Sequence, residues 1–312
     1  MRETKHCRLM GVVTGSKTKG AQWAAEYGFP EKNIYDYENM AMLADNRDID
    51  IVYVVTPNAL HKEHAIAAAK AGKHVICEKP FTTTAAEAEE ALKVFREAKI
   101  KHSIGYRLHF DPHHQELMRL AREKDFGQFT KGTGGFSFVM GQRKVWRAEK
   151  KLAGGGPVMD LGVYYIQAAC MAAEGAAPIA VTASEGEKKR PDFFTDVEET
   201  MNMKFEFANG FVAEGVTSYN ASINKIRAEG DKGWIEINPA YSYGGLRTTT
   251  STGDKTYSRL NQQAAQMDDF AVCIRENRES RVPGEMGLRD MKIIDAIYES
   301  ARQGGKRVEL KA

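Results

Sequence analysis

The sequence predicts an α/β chain in two parts. A parallel sheet of strand–helix units fills residues 1–110, and an α+β part with a large, mostly antiparallel open sheet fills residues 111–312. Three observations carry this. The run DIVYVVT (50–56) is continuously β-branched or aromatic, the mark of a strand buried on both faces. It stands in a series where such runs alternate with helical patterns across short loops, as βαβ units do. Past residue 128 the pattern changes to long strands with tight turns, one of them carrying Asn209-Gly210 between alternating runs.

The parallel series is read in order. Residues 7–14 (CRLMGVVT) form a strand, and 18–28 a helix that ends at Gly28 before Pro30. After the strand at 50–56, a helix over 58–71 stops at Gly72, a suitable C′ residue. KHVICE is the next strand. Thr84 and Glu87 then stand as a capping box ahead of Ala88, Ala91, Leu92 and Phe95, which repeat at helical spacing. Residues 100–106 close the series as a strand. In the second part, KIRAEGDKGWIEI is a hairpin turning at 231–233, and 262–303 reads as a final helical stretch that packs back on the first part.

Composition excludes several classes. Of 312 residues, 42% are hydrophobic and 28% charged, and the net charge of +2 comes without a basic block, so neither nucleic acid nor a membrane surface is an expected partner. No apolar run reaches the length of a spanning helix, and the first residues show no signal-peptide pattern, so a cytoplasmic location is expected. The four cysteines are far apart and fit small core residues in a reducing compartment.

Ligands of parallel sheets bind at the carboxyl ends of strands, which places Thr14, Thr56–Asn58, Glu78–Pro80 and Tyr106–Arg107 along one edge. Three constellations there carry chemistry. The first is CEKP, where a dry strand ends in Glu78, Lys79 and Pro80. A lysine at such a mouth is poised for a depressed pKa, because desolvation disfavours the ammonium. Glu78 beside it is placed either to hold the charge or to orient the amine, and a cis bond at Pro80 would aim it sideways. Taken alone, the same residues also fit a strand ending at the surface with a solvated lysine.

The second is LAGGGPVMDLGVYY (152–165). Gly154, Gly155 and Gly156 let backbone approach a ligand closely, and Asp160 and Tyr164 share a helix face at i, i+4. A carboxylate accepts hydroxyl hydrogen bonds and a phenol beside a lysine passes a proton, a pairing suited to a polyol. An ordinary amphipathic helix after a Gly-rich loop stays open as the alternative. The third is TPNALH, where Thr56 ends a strand, Pro57 turns, Asn58 caps a helix and His61 lies one turn in; helix-start N–H groups favour anions. His61 as a helix-surface histidine stays open too. HFDPHH (109–114) looks like a faint metal cluster, but no Asp, Glu or Cys recurs at ligand spacing, so no metal site is expected.

The ordered set EYGFPEKNIYDY, TPNALH, AGKHVICEKP, GYRLHFDP, VWR, LAGGGPVMDLGVYY and VPGEMGLRD…IDAIYESARQGG, spanning 6–310, resembles the Gfo/Idh/MocA oxidoreductases, with the nearest likeness to the glucose–fructose oxidoreductase branch. The resemblance implies a Rossmann domain, a C-terminal α/β domain whose open sheet makes homo-oligomer contacts (dimer or tetramer), and hydride transfer between nicotinamide and a sugar or polyol. It puts Lys79 and Tyr164 in the proton-handling positions and Asp160 in the sugar-binding one; many relatives have His where this chain has Tyr164. It also implies cofactor contacts at Tyr37, Thr56, Pro57, Asn58, His61, Glu78, Lys79, Arg107, Trp146 and Arg147. NAD-preferring Rossmann domains end the second strand in an acid; here VVTGSKTKG offers Thr14, Ser16 and Lys19 instead, which suit the 2′-phosphate of NADP. An aldose 1-dehydrogenase or a dihydrodiol dehydrogenase-like enzyme is the neighbouring alternative.

The chain departs from that family at its start. A strand and a G-x-G-x-x-G turn are expected first, and by that reckoning Met1 falls roughly 30 residues too late. GSKTKG does not substitute, as it lacks the G-x-G core and has Ala21 where a P-loop needs lysine. The parallel sheet is therefore expected to lack its first βα unit, so that strands 7–14 and 50–56 lose a shared neighbour. Two readings follow: a start site upstream of Met1, or a remnant with weak or lost cofactor binding that acts as a binding or structural protein.

Overall fold

The structure is a computed structural model that describes residues 1–142 and 145–310. Its first part runs β1 (Val12–Val13), α1 (Lys17–Tyr27), β2 (Ile34–Tyr35), β3 (Ile51–Val54), α2 (His61–Lys70), β4 (His74–Cys77), α3 (Ala85–Glu97), β5 (His102–Ile104) and α4 (Pro112–Glu123). All strand pairs here are parallel, but they form two separate sheets, β1–β2 and β3–β4–β5. Thus β1 and β3 are not paired with each other, as the sequence anticipates.

The apolar runs explain the burial. In β4, Val75, Ile76 and Cys77 are buried on both faces. One stripe of α3, Ala88, Ala91, Leu92 and Phe95, closes against it. Thr84 caps that helix by accepting the Glu87 N–H (3.2 Å), while Glu87 returns its carboxylate to Thr83 N–H (3.0 Å), one residue earlier than a standard capping box. Asp111 caps α4 by accepting from His113 and His114 N–H, with Pro112 at the first helical position.

The second part runs β6 (Phe129–Ser137), α5 (Lys150–Ala153), a π-helical turn (Val158–Gly162), α6 (Val163–Ala172), β7 (Ala180–Glu185), β8 (Thr200–Glu206), β9 (Val212–Ser218), β10 (Ile223–Gly230), β11 (Trp234–Ile237), β12 (Thr248–Thr250), β13 (Gly253–Lys255), α7 (Gln262–Arg275), α8 (Gly284–Arg302) and β14 (Val308–Glu309). Nine strands form one sheet in the order β13-β12-β11-β10-β6-β9-β8-β7-β14, antiparallel except for β6–β9. Alternation sets its two faces: Met201, Met203 and Phe205 of β8 point into the core while Asn202 is exposed. Helix α8 packs on β7 and also on α3 and β5, so the last helix spans both parts.

Four sequence readings need correction. The strand expected over 7–14 shrinks to Val12–Val13, because the chain before it docks on α7 instead: Asp268 accepts Lys5 and His6 N–H (2.8 and 2.7 Å) and Cys7 Sγ reaches Met267 O. The strand Ile34–Tyr35 escapes the pattern reading because two residues show no periodicity. The β8–β9 hairpin turns over three residues, 208–210, not two: Phe207 N–H pairs with Phe211 O, and Gly210 takes φ 83°. The final helical stretch breaks between α7 and α8, where Asn277 is left-handed (φ 52°) and Pro283 has no N–H to continue a helix.

The buried polar core is joined by His109. Its Nε2 bonds Gln167 Oε1 (2.7 Å), Gln167 donates to Asp290, and Arg289 donates to Asp290 (2.7 Å), tying the turn after β5 to α6 and α8. Burial pushes the His109 pKa down to about 4, from an ordinary value of about 6.5. The unfolded chain therefore binds the extra proton first, and stability is full above pH 6.5 and lost as pH falls through 4. From this one residue the loss by pH 4 is about 3 kcal/mol. Urea unfolding at pH 7, 5.5 and 4 should show a steeper acid loss for the native protein than for His109→Gln, and parallel pH curves would refute the assignment.

Candidate active site at the strand ends

The charged end of β4 is answered from three directions. Glu78 Oε1 accepts the phenol of Tyr53 from β3 (2.6 Å), and Oε2 accepts the Lys79 main-chain N–H (3.2 Å). The Lys79–Pro80 peptide is cis. Lys79 Nζ reaches across to the second part of the chain, donating to Asp160 O (2.6 Å) and facing its Oδ1 (3.5 Å), and lies 4.7 Å from the centre of the Tyr164 ring. Asp160 sits in the π-helical turn and Tyr164 in the first turn of α6, so the predicted pair does come together, on a wider turn than an α-helix.

The lysine's charge state departs from the sequence expectation of a depressed pKa. Burial pulls the Lys79 pKa down, but the charges of Tyr164, Asp160 and Glu78 outweigh it, and the net direction is up. Lys79 is an ammonium at neutral pH. Asp160 shifts the opposite way: burial pushes its pKa up, and Lys79, Arg147 and the Tyr219 hydroxyl more than reverse this. Arg147 Nε lies 3.2 Å from Asp160 Oδ1, and Tyr219 donates to Oδ2 (3.1 Å). Arg147 also stacks on Trp146 (4.4 Å), both on one short turn.

Arg107 is buried at 3% exposure, with its guanidinium directed at the Tyr241 and Ser242 carbonyls, the Gln262 amide oxygen and the Tyr164 hydroxyl (3.4 Å from Nε). It is sandwiched between the rings of Tyr164 (4.9 Å) and Tyr243 (4.3 Å). His61 is buried, not a surface histidine: its ring nitrogens bridge Pro80 O and Thr56 O, both at 2.8 Å, pinning the ends of β3 and β4 together. Asn58 does not cap its helix. Pro57 precedes a short 3₁₀ turn without a side-chain cap, and Asn58 Nδ2 donates instead to Ala153 O (2.9 Å), across to α5.

A second group lies further along the edge. Thr56 Oγ1 bonds His64 (3.1 Å), whose ring stacks on Tyr37 (4.7 Å, 10° between planes). At the end of β1, Thr14 Oγ1 accepts the Ser16 N–H (3.2 Å), and Ser16 caps α1 by accepting from Lys19 N–H (3.3 Å). The first turn of α1 holds no acid, Ser16 and Lys19 are exposed, and Lys19 Nζ lies over the Trp23 ring. Hydroxyls, a cation and a helix start without acids fit the phosphate end of a dinucleotide; Lys79, Tyr164 and Asp160 fit its reactive end. The histidines of HFDPHH go elsewhere, to Gln167, Thr248 and Asp111.

The glycine run is corrected. A Cβ on Gly155 would lie 1.9 Å from the Tyr298 hydroxyl, and one on Gly156 would lie 2.2 Å from the Glu198 carbonyl oxygen. For Gly155 and Gly156 the close approach is to the protein's own α8 and to the chain entering β8. Residues missed by sequence reasoning are Tyr53, Glu198, Tyr219, Tyr243 and Gln262; none carries a local pattern that separates it from an ordinary strand or loop residue.

Residues 1–106 match the oxidoreductase family with an NAD-binding Rossmann fold, and residues 114–236 match the GFO/IDH/MocA C-terminal domain. A solved structure of aldose–aldose oxidoreductase from Caulobacter crescentus, in complex with glycerol, is 38% identical, with 99% of this chain and 93% of that chain covered at a TM-score of 0.95. The chain belongs to the GFO/IDH/MocA oxidoreductase family. Curated relatives include the D-xylose 1-dehydrogenase [NADP(+)] of Haloarcula marismortui (28% identical, covering 95% of this chain and 84% of that protein) and the D-glucoside 3-dehydrogenase of Escherichia coli K12 (28% identical, covering 96% and 89%).

The glycine contact is testable by stability. Gly155→Ala drives a methyl into Tyr298 and should cost about 1–3 kcal/mol, as overpacking does. Adding Tyr298→Phe removes the clashing hydroxyl, so the double variant should be less destabilised than the two single losses added. Strict additivity in urea midpoints would show that the contact does not set the glycine requirement.

Proposed function

We propose that the protein is an NADP-dependent oxidoreductase that moves hydride between nicotinamide and an aldose or related polyol. The observation that carries this reading is the Lys79 ammonium, held at a strand end against Asp160 and the Tyr164 ring. The relatives described as acting on D-xylose, D-glucosides and aldoses support the substrate class. A second sugar as hydride acceptor is the form nearest glucose–fructose oxidoreductase; release of NADPH from an aldose alone would mark a 1-dehydrogenase.

When bound, nicotinamide accepts or returns the hydride. The chain's own residues manage the proton. In the reducing direction the Tyr164 hydroxyl gives its proton to the sugar carbonyl oxygen, and the Lys79 ammonium beside the ring stabilises the phenolate left behind. In the oxidising direction that phenolate takes the hydroxyl proton. Asp160 holds Lys79 in place and offers acceptor oxygens to sugar hydroxyls. Arg107 orients the Tyr164 hydroxyl from the other side. Tyr37, Thr56, Pro57, Glu78, Trp146 and Arg147 line the cofactor edge, with Asn58 and His61 bracing its loops from within. The polar open face of the nine-stranded sheet is the surface we assign to a second copy of the chain. Among the described residues no helix is long and apolar enough to cross a membrane.

A second reading, a cofactor-free binding protein, is favoured by the split of the parallel layer into β1–β2 and β3–β4–β5. Two measurements separate them. Lys79→Ala should lower sugar turnover at least about 10²-fold, the low end for a positioned proton-transfer group; undiminished turnover would remove Lys79 from the mechanism. NADPH fluorescence titration should give micromolar binding, weakened about tenfold or more by Lys19→Ala through loss of one charge-assisted bond, with NADH unchanged. No binding up to millimolar NADPH would favour the binding protein, and equal losses for both cofactors would make Lys19 a solvated helix residue.

A further inference from the structure

We propose that Glu198 is a positioning residue: from outside the site, it fixes the turn that carries Asp160 and thereby holds Lys79 in register. The inference rests on the proposed reading of Lys79 and Asp160, but its geometry stands apart from it. Glu198 lies just before β8 and is 5% exposed. Its Oε2 accepts the Gly156 N–H (2.9 Å), and its Oε1 accepts the Val158 N–H (3.0 Å) and the Tyr298 hydroxyl of α8 (3.0 Å).

Those two N–H groups open the π-helical turn Val158–Gly162, where a helix leaves its first donors without partners. No side chain of the turn caps them, since Pro157 stands at the cap position. Glu198 supplies the cap from a distant element, with both oxygens engaged at once. The neighbouring carbonyl, Pro157 O, is held by Thr217 Oγ1 (3.1 Å), so the start of the turn is clamped on its acceptor side too. Asp160 follows two residues later, with its carbonyl and carboxylate both directed at Lys79.

A buried carboxylate costs free energy unless its acceptors are used. Gly155 and Gly156 pack so closely against Tyr298 and Glu198 that a Cβ at either would clash. The chain therefore spends a buried acid, a buried tyrosine and two glycines on the placement of one turn. A capping role for the turn alone would not require that the carboxylate two residues after Val158 be the partner of the strand-end lysine.

Glu198→Gln tests this at constant volume. An amide presents only one acceptor oxygen, so one of the two main-chain N–H groups then faces an NH₂. Loosening the turn should detach Asp160 from Lys79 and raise the fraction of free amine. Acylation of Lys79, read by peptide mass mapping on the full-length protein with exposed Lys93 as internal reference, should rise about tenfold as the amine loses its carboxylate partner. The Michaelis constant for the sugar should rise by a larger factor than the NADPH dissociation constant, since Ser16 and Lys19 are not on this turn. Tyr298→Phe, which keeps both main-chain bonds, should give a smaller rise in Lys79 acylation, and it decides the question should Glu198→Gln not fold. Unchanged Lys79 acylation in a folded Glu198→Gln protein overturns the proposal, as does an unchanged rate in Tyr298→Phe if only that variant folds. Absence of sugar turnover in the native protein would instead overturn the oxidoreductase reading, and the acylation comparison would still judge Glu198.

Discussion

Everything at the strand ends depends on one ion pair, Lys79 with Asp160. It joins the carboxyl end of β4 in the parallel part to the π-helical turn ahead of α6 in the other, with both side chains under 15% exposed. A pair this far from water adds little net stability over apolar residues of the same size. Removal of Asp160, however, leaves the buried Lys79 ammonium without that carboxylate, a loss of the kind that costs about 3–5 kcal/mol, whereas Asp160 without Lys79 keeps Arg147 and the Tyr219 hydroxyl. The pair is therefore a device for registration: it fixes which turn faces which strand end. The same pair bears on the lysine's charge, since Tyr164, Asp160 and Glu78 together keep Lys79 protonated against the pull of burial.

The surrounding structure serves to keep that pair rigid. His61 ties the loops after β3 and β4, Asn58 ties α2's approach to α5, and Tyr53 holds the Glu78 carboxylate. Each uses a buried polar group with its partners supplied, which is how an interior tolerates polarity. The second part repeats the pattern at a distance. Glu199, fully buried, accepts from Lys189 and Arg190 main-chain N–H and pairs with the Arg190 side chain (3.2 Å), and the His109–Gln167–Asp290–Arg289 chain locks α6 to α8. Such networks are costly when half-formed and rigid when complete.

Sequence pattern carried the architecture because burial on both faces of a strand writes a continuous apolar run, as in HVIC, and burial on one face writes alternation, as in β8. That Lys79, Asp160 and Tyr164 come together was legible because short motifs place them where strand and helix ends must meet. Glu198 was not: a buried carboxylate and a solvated one are the same letter, and its partners lie 40 and more residues away. The glycine run misled for the same reason. Glycine records that something comes close, and only the fold says whether it is a ligand or Tyr298. Lys79's charge state departs from the sequence expectation because the two largest influences that hold its proton, Tyr164 and Asp160, come from another element of the chain.

The break between the two parallel sheets leaves the cofactor edge without a shared ladder at its middle, so something else must align β1–β2 with β3–β4–β5. Side chains do it. Asn46 donates to Asn33 Oδ1 and Tyr35 Oη (both 2.9 Å), Asn33 donates to Met10 O (2.6 Å), and Lys73, just before β4, donates to Asn46 O (2.8 Å). Beneath them, Met40, Leu43 and Ile49 share the core with Ala65, Ala68 and Ala69 of α2. Above, the Tyr37–His64 stack and the His64–Thr56 bond carry the edge from β2 to the end of β3. Polar anchors on one side and an aromatic stack on the other fix the spacing that backbone pairing would otherwise set. The edge from Ser16 to Lys79 is thus continuous through side chains where the sheets are not, and its alignment rests on residues that a strand-by-strand reading passes over.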